Sequence, residues 1–165
     1  MSKVYSLYSK QNVPATMEEV WQFFSDAKNL LAVTPPHLSL KVTNKVYGNV
    51  VYAGQVMTYT VKPLAGIPLA WMTEITHVEP QKYFVDEQRK GPYKLWHHQH
   101  HFKEIEGGVE MIDLVHYRLP AGILGNLANA LVIKKELRKI FSYRYQKIVE
   151  LFGAWPNEKM ELHLQ

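Results

Sequence analysis

A run of five residues with four histidines, His97-His98-Gln99-His100-His101, is where this sequence most clearly carries side chains able to do chemistry. It lies in Tyr93–Lys103, a segment rich in aromatic and β-branched residues that predicts a β-strand. Because successive side chains of a strand point to opposite faces, His98 and His100 are expected on the same face. Imidazole groups placed in this way can transfer protons or bind a metal ion.

A second predicted strand, Val109–Leu119, follows Glu106-Gly107-Gly108, and the two strands predict a hairpin. We place the two-residue turn at Gly107-Gly108, since glycine adopts positive φ without steric cost. In that register Phe102 lies opposite Asp113 and His100 opposite Val115. One face then carries Trp96, His98, His100, Phe102, Asp113, Val115, Tyr117 and Leu119. A large aromatic face with a few polar groups is typical of the wall of a ligand cavity.

The polar groups of this face allow more than one interpretation. They can satisfy one another as a buried network, with Asp113 bonded to His100 and Tyr117 in contact with His98. They can also contact a ligand, joined by Asp86 and Gln88 of the preceding strand. The two interpretations are compatible.

Metal binding is a sharper hypothesis for the same residues. His98, His100 and Asp113 could form a site with two histidines and one carboxylate. His97 and His101 point the other way and no fourth ligand is evident, so we expect no bound metal.

Acid–base catalysis is the enzymatic hypothesis. His98 or His100 would be the base, Asp113 its orienting partner, and Tyr117 the donor to a developing enolate. The sequence has neither a G-x-S-x-G nor a G-x-G-x-x-G motif, and we expect no cofactor.

Composition predicts a single domain over residues 1–156, since 165 residues with 47% hydrophobic content can bury one sizeable core. The sequence has no cysteine, which excludes disulfides and thiolate chemistry and is compatible with a reducing cytoplasm. The start, MSKVYSLYSKQNV, lacks the apolar core of a signal peptide. The longest apolar stretch, Leu64–Met72, is too short to span a bilayer. We therefore expect a cytoplasmic protein that is not integral to a membrane.

The elements around the hairpin begin with a strand at Lys3–Asn12. Thr16 and Glu19 form a capping box that starts a short helix, and Asp26 can cap a second one that ends before Pro35. Four further strands are predicted at Leu38–Tyr47, Gln55–Lys62, Leu69–Val78 and Tyr83–Arg89. Short connections indicate an antiparallel meander. The apolar loop Pro63–Pro68 either packs on its own domain or serves as a lid that contacts a ligand or membrane.

A long helix is predicted from Asn126 to Phe152, and residues 157–165 are predicted to be a loose tail. Its apolar stripe comprises Leu127, Ala130, Leu131, Leu137, Phe141, Tyr145, Ile148 and Phe152. Its polar surface comprises Lys134, Lys135, Arg138, Lys139, Arg144 and Lys147. With a net charge of only +4, we interpret this basic surface as solvated and expect no nucleic-acid partner.

The order of elements and several local motifs resemble the START-like, or SRPBCC, superfamily, which includes polyketide cyclases, lipid-transfer domains and birch-pollen-allergen proteins. The sequence is most similar to bacterial ligand-binding SRPBCC proteins, a group often seen beside or fused to nucleotide-sugar-epimerase-like proteins. The motifs are Val13-Pro14-Ala15, Glu19-Val20-Trp21-Gln22-Phe23-Phe24, Asn29-Leu30, Thr34-Pro35-Pro36, Gly91-Pro92-Tyr93, Trp96-x-His98-x-His100-x-Phe102 and Asp113-x-Val115-x-Tyr117-x-Leu119-Pro120.

The resemblance implies an α+β helix-grip fold. Its strongly curved antiparallel sheet of about six to seven strands grips the long helix and encloses a cavity for a hydrophobic molecule. We expect binding, transport or sensing of a lipid or polyketide-like molecule, with a cyclase or dehydratase as the alternative. The expected ligand-binding residues are Trp96, His98, His100, Phe102, Asp113, Val115, Tyr117, Asp86, Gln88, Tyr59, Trp71 and Phe141.

Overall fold

The computed structural model describes residues 3–44, 48, 50–62, 66–120 and 132–165. The strands are β1 (Tyr5–Val13), β2 (Lys41–Val42), β3 (Gln55–Val61), β4 (Leu69–Glu79), β5 (Tyr83–Lys90), β6 (Leu95–Ile105), β7 (Gly108–Arg118) and β8 (Glu161–Leu164). The helices are α1 (Met17–Ser25), two short 3₁₀ helices at Ala27–Leu31 and Pro36–Leu38, and α2 (Lys134–Phe152).

The eight described strands form one antiparallel sheet in the order β2-β3-β4-β5-β6-β7-β1-β8. Strands β2 to β7 follow one another along the chain and across the sheet, as short connections require. Helix α2 covers the concave face, where Leu137 and Phe141 pack with Leu7 and Val115. The predicted α+β class, with a curved sheet around a long helix, is confirmed, although the sheet has more strands than the predicted six to seven.

Local signals set both ends of the first helical region. Thr16 accepts a hydrogen bond from the Glu19 backbone and Glu19 bonds back to Thr16, which completes the predicted capping box. The Asp26 side chain accepts from the Lys28 backbone N–H and starts the helix at Ala27–Leu31, as expected. The segment after α1 therefore folds back over the sheet within a few residues.

The β6–β7 hairpin differs from the predicted register. Ile105 pairs with Gly108, so the turn is Glu106-Gly107, with Gly107 at a φ of 84°. Gly108 is the first residue of β7. A larger residue does not fit at this position, because a Cβ there would lie 2.1 Å from the Val13 carbonyl oxygen. Moving the turn by one residue shifts the pairing by two residues, which changes the partners but keeps every side chain on its predicted face.

Two predicted elements are wrong in part. In the described part of the predicted strand Leu38–Tyr47, residues 38–44, only Lys41–Val42 is a strand, because Pro36–Leu38 forms a 3₁₀ helix and Ser39 adopts a left-handed φ of 46°. The predicted loose tail contains β8, which pairs with Leu7 to Lys10 of β1. The start of the helix predicted from Asn126 lies outside the described residues. Half of the apolar loop Pro63–Pro68 also lies outside them.

Helix α2 is too polar to act as a membrane span, and no helix within the described ranges has the length and hydropathy needed to cross a bilayer.

Candidate functional site

A cavity of about 220 Å³ lies between the concave face of the sheet, α1 with its following 3₁₀ helices, and α2. Strands β3 to β6 supply one wall and α2 supplies the opposite wall. Apolar side chains dominate the lining, including Phe23, Phe24, Leu30, Met57, Tyr59, Trp71, Ile75, Phe84, Tyr93, Trp96, Leu137, Ile140 and Phe141. An apolar space of this kind favours apolar ligands by roughly 25 cal/mol for each Å² they bury.

One end of the cavity is an aromatic wall from β3, β4 and β6. The Tyr59 and Trp71 rings stack with centroids 6.1 Å apart, and the Trp71 ring meets the Trp96 ring edge-on at 5.6 Å. Thr73 fixes this wall, since its hydroxyl oxygen lies 2.6 Å from the Tyr59 hydroxyl and accepts the Trp71 indole N–H at 3.0 Å. The wall is therefore held by polar contacts as well as by packing.

Four polar side chains from three adjacent strands meet beside the aromatic wall. Asp86 of β5 pairs across the sheet with His98 of β6, and His100 pairs with Asp113 of β7. All four point to the concave face, because each pair shares a face and His98 and His100 alternate with outward residues. His98, His100 and Asp113 are buried, and the Asp86 side chain is 16% exposed.

Every ring nitrogen of the two histidines faces a carboxylate oxygen. His98 Nε2 lies 3.0 Å from Asp113 Oδ1, and His98 Nδ1 lies 3.4 Å from Asp86 Oδ2. His100 Nδ1 lies 3.1 Å from Asp113 Oδ1, and His100 Nε2 lies 2.7 Å from Asp86 Oδ2. The imidazole rings are 3.8 Å apart, and the His100 ring also stacks on Phe84 at 4.1 Å. The Asp113–His100 pair anticipated from the sequence is therefore part of a larger network.

Arg144 of α2 completes this polar cluster, and the sequence analysis assigned it wrongly to the solvated surface of the helix. Its Nη2 lies 3.3 Å from Asp113 Oδ1, its guanidinium lies 5.3 Å from the Phe24 ring centre, and its buried Nε has no hydrogen-bond partner. The sequence carried a signal for the burial of Arg144, because this residue recurs at helical spacing with Leu137, Phe141 and Ile148. These four are the buried residues of α2.

Contacts within the cluster shift the pKa values of its members in different directions. Burial alone would raise the pKa of Asp113, but Arg144 and the hydrogen bonds from both histidines hold it well below its usual range. Burial and the neighbouring His100 lower the pKa of His98. Burial also opposes protonation of His100, but its contacts with Asp113 and Asp86 prevail and raise its pKa. The neutral form of His98 and the protonated form of His100 are therefore each favoured relative to a free imidazole.

The structure divides the expected ligand-binding residues into two groups. Those that line the cavity are Tyr59, Trp71, Asp86, Trp96, His98, His100 and Phe141. Those that lie outside its lining are Gln88, Phe102, Asp113, Val115 and Tyr117.

The second group has structural partners. Gln88 makes two hydrogen bonds to the backbone of Tyr93, and Phe102 packs on Trp21 and Phe24 in the core. Tyr117 is fully buried and its ring stacks on Tyr5 at 5.5 Å. Asp113 contacts three residues that line the cavity, His98, His100 and Arg144.

Comparison with protein families gives a match over residues 13–152 to the family described as polyketide cyclase / dehydrase and lipid transport. The match covers most of the chain, including the cavity and the polar cluster. No curated protein matches the sequence.

Solved structures with the same fold have low sequence identity. ZhuI aromatase/cyclase from Streptomyces sp. R1128 superposes with a TM-score of 0.70 at 12% identity, over 90% of this chain and 93% of that one. Ara h 8.0201 gives 0.60 at 11%, over 90% and 99%. A nucleoside-diphosphate sugar epimerase from Corynebacterium glutamicum gives 0.57 at 22%, over 87% of this chain and 28% of that one.

Proposed function

This chain belongs to the polyketide cyclase / dehydrase and lipid transport family, and we propose that it binds a hydrophobic small molecule, lipid or polyketide-like, in its central cavity. The observation that carries the proposal is a predominantly apolar lining into which the buried cluster of Asp86, His98, His100 and Arg144 brings charged groups. Apolar surface supplies affinity, and a few fixed polar groups orient a ligand.

The distribution of polar groups indicates how such a molecule is oriented. Asp86, His98, His100 and Arg144 reach the cavity beside the aromatic wall. The segment after α1 lines it with Leu30, Val33 and Leu38, and also with Asp26, Asn29 and Thr34, whose side chains bond to nearby backbone groups. This distribution supports an orientation in which the oxygen-bearing end of the ligand lies against β5 and β6 and its hydrocarbon part lies towards the 3₁₀ helices.

Native mass spectrometry of the protein purified from its own host tests the proposal. We expect a co-purifying molecule bound in a one-to-one ratio, released by organic solvent and soluble in it. Displacement of the fluorescent probe anilinonaphthalene sulfonate by the extracted molecule would then give its affinity. A protein that carries no ligand and leaves the probe unbound contradicts the proposal.

Ile140→Trp provides a variant that fills the cavity, since Ile140 lines it from α2. We expect it to fold and to lose at least tenfold in probe affinity, because the indole occupies ligand volume. Arg138→Trp is the matched control, as Arg138 is exposed on the same helix and should leave the affinity unchanged.

A second candidate function is an enzyme of the cyclase or dehydratase type. The observation in its favour is that two adjacent histidines lining the cavity have their pKa values shifted in opposite directions. Groups divided in this way can act as base and acid, so His98, whose neutral form is favoured, would take a proton from a carbon acid, and His100, whose protonated form is favoured, would donate one to oxygen. The similarity in fold to an aromatase/cyclase is consistent with this chemistry.

Turnover separates the two candidates. An enzyme would convert the extracted molecule or a related poly-carbonyl compound, and His98→Asn would lower the rate by at least about 100-fold while binding persists. Binding without turnover by the unaltered protein would leave the carrier role and exclude catalysis on that compound.

A further inference from the structure

Asp113 faces one nitrogen of each buried histidine. Its Oδ1 lies 3.0 Å from His98 Nε2 and 3.1 Å from His100 Nδ1, and Arg144 Nη2 lies 3.3 Å from the same oxygen and 3.5 Å from His100 Nδ1. In the tautomers in which each imidazole donates its N–H to Asp113, the other nitrogen of each ring is free to bind a cation.

These other nitrogens converge on Asp86. His98 Nδ1 lies 3.4 Å and His100 Nε2 lies 2.7 Å from Asp86 Oδ2, and one ligand atom from each of the three residues can be chosen so that all lie within 4.8 Å of one another. In the tautomers that donate to Asp113, the lone pairs of these nitrogens face Asp86 and are repelled by its carboxylate unless a cation lies between them. A proton on His100 relieves one contact and leaves His98 Nδ1 facing the carboxylate, whereas one metal ion would relieve both.

We propose that Asp86, His98 and His100 bind one divalent transition-metal ion, such as zinc or ferrous iron, at the wall of the cavity. Two imidazoles and one carboxylate are a recognised ligand set for such ions. Asp113 is the outer carboxylate that orients both imidazoles, a role found around many metal-binding histidines.

The ligand set differs from the one considered in the sequence. There Asp113 was taken as the third ligand and no further one was evident. In the structure Asp86 takes that place, directly across from His98 in the sheet, and Asp113 lies behind both rings. Since the three ligands line the cavity, the remaining coordination positions of the ion face the space proposed for the ligand.

The inference does not depend on the proposed function, because a metal ion can bind whether or not an organic molecule does. It gives that function a further property, since a bound ion would polarise a carbonyl oxygen in the cavity.

Titration of untagged, chelator-treated protein with Zn²⁺ and Co²⁺ tests the proposal, with calorimetry for stoichiometry and Co²⁺ absorption for ligand type. We expect one ion per chain with micromolar or tighter affinity. We expect Asp86→Asn and His98→Gln to abolish stoichiometric binding. Asp113→Asn should weaken it about 10- to 100-fold, as is usual for an outer carboxylate.

His97→Gln and His101→Gln are matched controls, because they alter histidines of the same strand that lie on its opposite face. Both should bind Co²⁺ like the unaltered protein. Thermal unfolding followed by circular dichroism shows which variants fold. If His98→Gln does not fold, Asp86→Asn, at a partly exposed residue, is the variant that tests metal binding. The proposal is overturned if the folded unaltered protein does not bind one ion per chain. It is also overturned if folded Asp86→Asn still binds the ion.

Discussion

At the level of single residues, buried charge is balanced around Asp113. The pKa values of Asp86 and Asp113 are lowered, and both carboxylates lie beside His100, whose pKa is raised, and near Arg144, so the acidic groups of the cluster have basic partners. Burial of charge is tolerated only where such partners are present. The cluster therefore stabilises the contact of α2 with the sheet as well as presenting polar groups to the cavity.

Arg144→Met tests this balance. We expect a loss of about 3 kcal/mol in the free energy of unfolding, because the change leaves a buried carboxylate without its cation. Urea unfolding measures the difference. Arg138→Met, at an exposed position of the same helix, should change stability by less than about 0.5 kcal/mol.

A double-mutant cycle gives a stricter test of the same pair. If Arg144 acts through Asp113, Arg144→Met combined with Asp113→Asn should cost less than the sum of the two single changes. Strict additivity would show that Arg144 stabilises the protein by packing alone.

At the level of elements, one edge of the sheet is formed by the C-terminal strand β8. Strand β8 pairs with β1, and Leu162 and Leu164 pack beside the cluster formed by Leu7, Tyr117 and Leu137. The sequence analysis took this segment for a tail because four residues are too few to show a convincing period. An edge strand so short is defined by the neighbour that it pairs with.

Removal of residues 161–165 should therefore lower the free energy of unfolding by about 2 kcal/mol, since the hydrogen bonds to β1 and the leucine contacts are lost. The truncated protein should also self-associate more, because the edge of β1 becomes available for pairing. Urea unfolding and light scattering measure the two effects. Lys159→Ala, at an exposed residue before β8, should change neither.

At the level of the whole molecule, the cavity means that the folded state is incompletely packed without a ligand. The sheet and α2 line the cavity from different sides. Anything that binds there and not to the unfolded chain stabilises the fold by mass action.

Extraction of the co-purified ligand should accordingly lower the melting temperature by about 5 to 10 °C if the ligand had been present at about a hundred times its Kd. Returning the ligand should restore the melting temperature, and calorimetry follows both steps. Ile140→Trp should show a smaller change, because its indole already fills part of the cavity. An equal change in Ile140→Trp would mean that the ligand binds elsewhere.

The sequence by itself determined the class of fold and the face on which each hairpin residue lies. Alternation along β6 and β7 keeps Trp96, His98 and His100 on the same face as Asp113, Val115 and Tyr117 under any register shift of an even number of residues, so even a misplaced turn left the candidate face intact. The capping box at Thr16 and Glu19 is equally local, and it predicted the start of α1 correctly.

Only the tertiary structure decided which of those residues meet. The Asp113–His100 contact follows from the exact turn at Glu106-Gly107, the role of Asp86 from the pairing of β5 with β6, and the burial of Arg144 from the packing of α2 on the sheet. Each depends on residues distant in the chain, whose relative positions are determined by packing and pairing. Periodicity gives the direction of a side chain, whereas its partner depends on the element that packs against it.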